Sequence, residues 1–287
     1  MTAYTLRPLK LGVEAIGADL TTEAFDAPAS IRQLIDDTHK HRLLVLRDQY
    51  RLTPERLVQI AKWFGDIDSQ SYYKHPKSPS ADIFRVSNDR MEGCTGVGRT
   101  GWHIDGTFRE CPYAISVYHM VHVPTNGDTR FAGMREIWTS LSAEQRQRWS
   151  RLSMASNLQT DVPLPYSALA HPLVYAHPIT GETTLCFHCG MIDGFIEDLG
   201  GPNERVLSDN EAIEMLREIH RAVVHDNERL VYSHKWRPGD LILSDNLAVA
   251  HEADPSSQTP RSKVGLRVLH RVTVKGTHKP TKNKQNT

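Results

Sequence analysis

The chain has 287 residues, which is enough for one large β domain or two modest ones. Its 34 lysines and arginines balance 34 aspartates and glutamates, so net charge gives no reason to expect a nucleic-acid or membrane partner. No apolar run is as long as a membrane span, and the N-terminus lacks the apolar core of a signal peptide, so a cytoplasmic protein is expected.

Short strands and two helices are predicted in the first hundred residues from the periodicity of the apolar positions. In chain order they are strands at about 4–6 and 12–17, a helix over about 28–40, and strands at 43–46 and 83–86. Thr53 and Pro54 predict the start of the second helix, and Gly65 predicts its end. The rest of 66–101 is predicted as loop, and long irregular segments often carry binding groups.

The second half of the chain repeats this pattern of short strands with occasional helices. Ser142 with Gln145, and Ser208 with Glu211, have the spacing of capping boxes, which predicts helices to about 152 and about 224. The predicted strands are 114–123, 172–175, 183–187, 229–235, 240–245 and 265–274. The turn at 177–181 predicts a hairpin, and the polar, proline-containing segment 155–170 is a candidate lid.

The order of these elements favours a mainly β fold. Strands and helices do not alternate as they do in a parallel sheet, so we expect a β-sandwich or jelly roll with helical additions. A single domain is expected over 1–276. Residues 277–287, which are mostly Lys, Asn, Gln and Thr, are expected to form a disordered tail.

His103 and Asp105 are the first candidate metal ligands. They are two positions apart, and a strand would place both side chains on one face. His251, after the predicted strand at 240–245, would complete a set of two histidines and one carboxylate. On a metal this set leaves three positions open and suits Fe(II) and oxygen chemistry. Because the chain has 15 histidines, His-x-Asp alone is weak evidence, and the flanking Trp102 and Phe108 add to it.

Cys186 and Cys189 form a Cys-x-x-Cys motif that allows two interpretations. The motif could be a redox pair or half of a zinc site, but the four cysteines of the chain include no second such pair. The segment around them is predicted as strand, so we favour buried thiols in a sheet.

Four motifs together resemble the taurine dioxygenase-like (TauD/TfdA) family of Fe(II)- and 2-oxoglutarate-dependent dioxygenases. They are Trp-His-x-Asp-x-Thr-Phe at 102–108, Gly-Asp-Thr at 127–129, Gly-Asp-Leu-x-x-x-Asp-Asn-x-x-x-x-His at 239–251 and Arg-x-x-x-Arg at 267–271. The match is in order and runs from about 40 to 275. The resemblance implies a double-stranded β-helix, Fe(II) as cofactor, 2-oxoglutarate as cosubstrate and O2 as oxidant.

The resemblance also implies a reaction and a cosubstrate site. A small anionic or amino-acid-like substrate would be hydroxylated, desaturated or oxidatively cyclised, with release of succinate and CO2. The set His103, Asp105 and His251 would hold the iron. Arg267, helped by Thr129, would bind the distal carboxylate of 2-oxoglutarate, since a planar guanidinium can donate two hydrogen bonds to a carboxylate. Because the gap between His251 and the arginine is longer than usual in the family, Arg261 is a rival.

The substrate side is implied less directly. Arg271, on the same strand face as Arg267, is expected to meet an anionic group of the substrate. Further substrate-side candidates are Gln70, Tyr72, Tyr73, Arg99 and Phe108. Gln70 stands where taurine-oxidising members carry a histidine, and Arg99 where a small amide is expected. These departures argue against taurine and leave an acidic or amino-acid-like molecule.

Two other functions would use the same ligands. A metal-dependent hydrolase would hold Zn²⁺ and need a general base near the metal, but would give Arg267 no role. A binding or sensor protein on a jelly roll would keep the metal without turnover. Relatives often form dimers or tetramers, so a homo-oligomer is a further expectation.

Overall fold

The computed structural model describes residues 3–69, 73–98, 101–156 and 169–282, and within these it contains sixteen β-strands and six α-helices. The strands are β1 (Thr5–Pro8), β2 (Val13–Ile16), β3 (Leu43–Leu46), β4 (Phe84–Ser87), β5 (Ile115–His122), β6 (Thr129–Gly133), β7 (Leu152–Ser156), β8 (Ala170–Pro172), β9 (Val174–Ala176), β10 (Thr183–Leu185), β11 (Ile192–Glu197), β12 (Arg205–Val206), β13 (Val231–His234), β14 (Leu241–Asp245), β15 (Val249–Ala253) and β16 (Val268–Val274). The helices are α1 (Pro28–His41), α2 (Pro54–Lys62), α3 (Met134–Ser140), α4 (Ala143–Arg151), α5 (Asp209–Glu228) and α6 (Arg261–Val264).

Two sheets form the centre of the fold. The larger has seven strands in the order β1-β2-β3-β14-β5-β16-β4, and all its pairs are antiparallel except β2 with β3. The smaller has three antiparallel strands in the order β13-β6-β15. A buried apolar cluster joins them, in which Tyr118 and Leu269 of the large sheet pack with Phe131 and Val249 of the small one. The arrangement is a β-sandwich, and the side chains of the site lie in and beside this layer.

Helices cover the outer faces. On the far side of the large sheet, Leu34 of α1 and Leu57 of α2 share a buried cluster with Val117 and Val272. A third cluster is formed by α3, α4 and α5 with the sheet β12-β11-β7-β8 and the hairpin β9-β10. This third cluster also contains Trp102, so it supports the segment that carries the candidate ligands.

Most predicted elements are present. The helix α1 and the strand β3 match their predicted ranges, and α2 ends at Lys62, slightly before Gly65. The predicted hairpin is present as β9-β10, with shorter strands than the predicted 172–175 and 183–187. Both capping boxes are confirmed: the Ser142 hydroxyl accepts from the Gln145 amide at 3.1 Å, and the Ser208 amide donates to the Glu211 carboxylate at 2.8 Å. The mainly β fold class with helical additions is therefore confirmed.

Several strands were not predicted. β6, β7, β11 and β15 are missing from the expectations, and His251 lies on β15 rather than following directly from the strand at 240–245. These strands contain small or polar residues with weak strand propensity, and pairing with neighbouring strands stabilises them. Of the candidate lid, 157–168 lies outside the described residues, and its two flanks are strands β7 and β8.

Among the described residues, no helix combines the length and the apolar character that a membrane crossing requires. The expected tail at 277–287 is described only as far as 282. The single-domain organisation over 1–276 stays a prediction.

Gly12, in the turn between β1 and β2, is a position where the backbone requires glycine. Its φ is +73°, and an added Cβ would lie 2.1 Å from the carbonyl oxygen of Leu43 in the neighbouring strand. Gly17 has a similar φ of +85°, but a Cβ there would meet nothing within 4 Å.

We expect Gly12→Ala to lower the free energy of unfolding by about 3 kcal/mol and Gly17→Ala by about 1 kcal/mol. Urea denaturation of both variants measures the difference, and equal losses would contradict the close contact.

Candidate metal centre

His103 reaches the centre through two isolated β-bridges, to His188 and His251, and not through a strand. Its amide donates to the carbonyl of His251 at 3.1 Å, and the His251 amide donates back at 2.9 Å. The next amide, of Ile104, donates to the carbonyl of Phe187, and the chain then turns at Gly106, whose φ is +85°. The expectation that His103 and Asp105 alternate on a strand is therefore wrong. A bridge followed by a glycine turn brings the two side chains together instead.

The three predicted ligands converge. One donor atom each from His103, Asp105 and His251 lies within 4.8 Å of the other two, and all three residues are buried. The His251 Nε2 is 3.6 Å from the Asp105 Oδ2, and the His103 Nε2 is 4.0 Å from the Asp105 Oδ1. The His103 Nδ1–H donates to the carbonyl of Gly101 at 2.6 Å, which leaves the Nε2 lone pair facing the other two ligands. This donor set fits a divalent metal of the Fe(II) type.

Asn246 fixes the backbone of Asp105. Its side-chain oxygen accepts from the Asp105 amide at 2.9 Å, and its Nδ2 donates to the carbonyls of Asp105 at 2.9 Å and Tyr113 at 2.7 Å. Its neighbour Asp245 is itself held, because its carboxylate accepts from His39 and His177. Asn246 therefore orients a ligand without touching the metal position, a role that the sequence did not reveal.

Burial sets the protonation state of the ligands. Burial, and then the neighbouring imidazole of His103, lowers the pKa of His251 to about 3, and burial also lowers the pKa of His103. Burial alone would raise the pKa of Asp105, but the charge of Arg271 together with the neighbouring imidazoles of His251, His103 and His188 outweighs the effect of burial and holds the pKa below its ordinary value. The centre thus presents two neutral imidazoles and one carboxylate, which are the forms that bind a metal.

Arg267 is a buried cation. It is 2% exposed, its Nε lies 3.5 Å from the carbonyl of Gly127, and burial lowers its pKa to about 10. No carboxylate of the described residues lies within ion-pair distance of it. Such a charge is costly unless an anion neutralises it. Asn88 holds the Arg267 backbone by accepting from its amide at 2.9 Å.

Thr129 and Arg261 are the other two residues considered for the cosubstrate site, and they differ in burial. The Thr129 hydroxyl is buried and accepts from the Trp236 Nε1 at 3.0 Å, so Trp236 orients it. Arg261 is different, since its side chain is half-exposed and lies 3.3 Å from the carboxylate of Asp89. Of the two rival arginines, only Arg267 is buried.

Arg271 lies against the metal ligands. Its Nη1 donates to the Asp105 Oδ2 at 2.9 Å, and its guanidinium carbon is 5.0 Å from the ring centroid of Phe84. It is buried, as expected for an inward-facing position of β16. The position places a fixed positive charge directly beside the candidate metal.

The structure describes only two of the substrate-side candidates predicted in loops. Gln70, Tyr72 and Arg99 lie outside the described residues. Tyr73 is 73% exposed, so its ring faces solvent and not the buried centre. Phe108 is half-buried and packs edge-on against Tyr113, with 6.2 Å between the centroids.

His188 and Tyr118 border the centre and were not predicted there. The His188 ring stacks on His103 with 4.4 Å between the centroids, and burial lowers its pKa to about 2. The Tyr118 hydroxyl lies 3.3 Å from the His251 Nε2. No local signal distinguishes either residue in the sequence. Cys186 is buried and Cys189 is partly buried, and both are free thiols. Strand β10 ends at Leu185, so the prediction that this motif lies in a strand is wrong.

Comparisons with known proteins agree with this geometry. The family described as "Taurine catabolism dioxygenase TauD, TfdA family" matches residues 5–273. The chain is 27% identical to the (S)-phenoxypropionate/alpha-ketoglutarate-dioxygenase of Sphingobium herbicidovorans, over 77% of this chain and 79% of that protein. It is 24% identical to the alkylsulfatase of Acinetobacter baylyi, over 93% of this chain and 83% of that protein.

Solved structures show the same fold. A putative alpha-ketoglutarate-dependent taurine dioxygenase from Burkholderia xenovorans superposes with a TM-score of 0.75 at 24% identity, covering 96% of this chain and 93% of that one. AAD-2 in complex with Mn(II) and N-oxalylglycine superposes with a TM-score of 0.75 at 24% identity, covering 98% and 100% of the two chains. The predicted double-stranded β-helix, or jelly roll, is thereby confirmed.

Replacement of Asn246 tests whether it orients the ligand Asp105. In Asn246→Ala the buried amide of Asp105 and two buried carbonyls lose their partner, so we expect the free energy of unfolding to fall by about 3 kcal/mol. Loss of such an outer contact should also weaken Fe(II) binding by roughly tenfold or more. Urea denaturation and titration with Fe(II) under argon measure the two effects. Asn203→Ala, at an exposed turn, is the control, and Fe(II) affinity equal in both variants would contradict the role.

Proposed function

The chain belongs to the TauD/TfdA family of Fe(II)- and 2-oxoglutarate-dependent dioxygenases, and on that premise we propose that it oxidises a small anionic or amino-acid-like substrate beside Arg271. The observation that carries the proposal is the buried group of His103, Asp105 and His251 with a cation in direct contact with its carboxylate. Fe(II), 2-oxoglutarate and O2 together supply the oxidising chemistry, and succinate and CO2 are released.

The three ligands are proposed to hold the iron. Two imidazole nitrogens and one carboxylate oxygen suit Fe(II) and leave positions for other groups. The bridge between His103 and His251 and the clamp on Asp105 hold the ligands in place before metal arrives. Pre-organisation of this kind lowers the entropic cost of binding.

Arg267 is proposed to bind the distal carboxylate of 2-oxoglutarate. It is a buried guanidinium without a carboxylate partner among the described residues. Thr129, two residues after the Gly127 whose carbonyl lies near the Arg267 Nε, supplies a buried hydroxyl. A bidentate contact would compensate the cost of burying the charge and fix the orientation of the keto acid. A hydrolase gives this residue no role, so its burial favours the oxygenase over that alternative.

The anionic character of the substrate rests on Arg271. The two relatives named above are a phenoxypropionate dioxygenase and an alkylsulfatase, and both names denote an anionic compound. Arg271 can orient such a group while its neighbours exclude water. Whether the outcome is hydroxylation, desaturation or oxidative cyclisation depends on how the reacting carbon is held.

Three features of the whole chain stay predictions. They are the cytoplasmic address, the homo-oligomer and the single domain over 1–276. Mass measurement in solution tests the second, and limited proteolysis tests the third.

Production of succinate tests the reaction and the metal ligands together. Protein loaded with Fe(II) and 2-oxoglutarate under argon should form succinate when oxygen is admitted, slowly without a substrate and faster with an organic acid or sulfate ester that fits. In Asp105→Ala the site loses the only carboxylate among the three candidate ligands of the described residues, so bound iron and succinate should both fall to background. Asp82→Ala, which removes a carboxylate from a loop, should retain both. Iron retained by Asp105→Ala would contradict the ligand assignment.

The two arginines give a matched test of the cosubstrate site. Arg267→Met should raise the 2-oxoglutarate concentration needed for half-maximal succinate formation by about a hundredfold, because a charge-assisted bidentate contact is lost. Arg261→Met should change it by less than about twofold, since an exposed ion pair contributes little. The measurement is succinate against 2-oxoglutarate concentration, and the reverse order would assign the cosubstrate to Arg261.

A further inference from the structure

Arg130, on strand β6, contacts the residues next to both histidine ligands. Its Nη1 donates to the Glu252 Oε1 at 2.6 Å, and its guanidinium carbon is 5.3 Å from the ring centroid of Trp102. Glu252 directly follows His251, and Trp102 directly precedes His103. One guanidinium therefore joins the immediate neighbours of the two imidazoles.

Arg130 makes these contacts from the outer face of the small sheet. In the pairing of β6 with β15, Arg130 lies opposite Glu252 and Phe131 lies opposite His251. Phe131 belongs to the buried layer between the two sheets, and its ring centroid is 6.4 Å from that of His251. Because successive residues of a strand face opposite sides, Arg130 and Glu252 face away from the metal position. Arg130 thus supports the centre without touching it.

The contacts of Arg130 are largely shielded from water. The side chains of Arg130 and Glu252 are 14% and 12% exposed, and Trp102 is fully buried. Solvent and salt screen a pair of this kind much less than a surface pair. The face of the indole attracts the same cation through its quadrupole. Two different partners therefore hold the guanidinium in one place.

Helix α5 supplies a third contact. The Arg130 Nη2 donates to the carboxylate of Glu228, the last residue of α5. The Glu228 carbonyl in turn accepts from the Lys10 Nζ at 3.0 Å. A planar guanidinium can donate to two carboxylates while its carbon stays over an aromatic ring, whereas an ammonium group is a compact point charge. The three contacts together therefore require arginine.

These contacts bear on the geometry of the metal ligands. Two backbone hydrogen bonds join His103 to His251, and Arg130 adds side-chain contacts on the other face of the same segments. Because Trp102 and Glu252 are covalently adjacent to the ligands, a displacement of either one redirects an imidazole. Metal–ligand distances tolerate changes of only about 0.2 Å.

We propose that Arg130 is a positioning residue for the metal centre. It holds Trp102 and Glu252 so that the imidazoles of His103 and His251 keep the separation that a metal requires. This inference rests on the proposed function, because it needs these histidines to bind Fe(II). Fe(II) affinity then depends on a side chain that faces away from the metal.

Metal affinity, and not turnover, tests the role of Arg130. Full-length protein is titrated with Fe(II) under argon in competition with a chromophoric chelator. Arg130→Met should weaken Fe(II) binding by about tenfold, as loss of an outer partner of a metal ligand does. Electrostatics alone predicts the opposite, because removal of a positive charge near the centre favours a cation. Fe(II) affinity that is unchanged or higher in Arg130→Met would overturn the proposal.

Arg130→Lys is a second variant that keeps the charge and is expected to fold. It should weaken Fe(II) binding roughly threefold, because one ammonium group cannot supply all three contacts. Wild-type affinity in Arg130→Lys would overturn the proposal, also where Arg130→Met fails to fold.

Arg56 provides a matched control on helix α2, on the far side of the large sheet. Its Nη2 is 2.6 Å from the Asp26 Oδ1, and its guanidinium carbon is 5.1 Å from the ring centroid of Trp63. Arg56→Met therefore loses the same two kinds of contact away from the centre. Urea denaturation should show reduced stability in both methionine variants, but Arg56→Met should keep wild-type Fe(II) affinity. Equal weakening of Fe(II) binding in the two would reduce Arg130 to a structural role and overturn the proposal.

The absorption spectrum of Co(II)-loaded protein gives a second readout, because it reports the arrangement of the ligands. At saturating Co(II) the visible bands should change in Arg130→Met and stay as in wild type in Arg56→Met. Oxygen is then admitted to samples loaded with Fe(II) and 2-oxoglutarate. Succinate from wild type together with wild-type Fe(II) affinity in Arg130→Met contradicts this inference alone. Iron-loaded wild-type protein that makes no succinate contradicts the proposed function.

Discussion

The site depends on two backbone hydrogen bonds between His103 and His251. They attach a loop to strand β15, and they place two imidazoles from distant parts of the chain side by side. Backbone hydrogen bonds of this kind do not require a metal. They fix the main-chain positions of both histidines, so only the side-chain rotamers remain to be set. Asn246 positions the carboxylate beside the two imidazoles in the same way, because it binds the main chain of Asp105 and makes no contact with its carboxylate oxygens.

The interior of the sandwich is organised around positive charge. Arg267 and Arg271 are both buried, and Lys74 is partly so. Within the described part of the chain, Arg271 is the one of these three cations that has a carboxylate within ion-pair distance, that of Asp105, which is also a candidate metal ligand. A protein core seldom accepts such groups. Binding of the proposed anionic ligands, 2-oxoglutarate and an anionic substrate, would explain their presence, and the charges that cost stability would then provide recognition.

Some features of the fold and the site depend on local sequence and could be predicted, whereas others depend on contacts between distant segments. The identity of the ligands could be predicted, because the chemistry demands two histidines and a carboxylate, and the motifs at 102–108 and 239–251 contain them. The helices α1 and α5 could be predicted from periodicity and caps. Strand β15 could not, since Val249–Ala253 is rich in alanine and becomes a strand only by pairing with β6.

The residues that support the metal centre could not be predicted, for the same reason. Trp236 reaches the Thr129 hydroxyl, and His188 stacks on His103, only after distant segments have packed. Nor does the spacing of His103 and Asp105 reveal a bridge followed by a turn, because alternation on a strand would bring the same two side chains together. Sequence motifs specify which groups take part, and tertiary packing specifies the route by which they meet.

The proposed contact between Arg267 and the distal carboxylate of 2-oxoglutarate would also link metabolism to the lifetime of the protein. An anion that neutralises Arg267 can bind only the folded chain, so by mass action the folded population grows with the concentration of that anion. When the anion is scarce, the chain would open more often and would be more readily degraded by cellular proteases. The abundance of the protein would thereby depend on the supply of its cosubstrate.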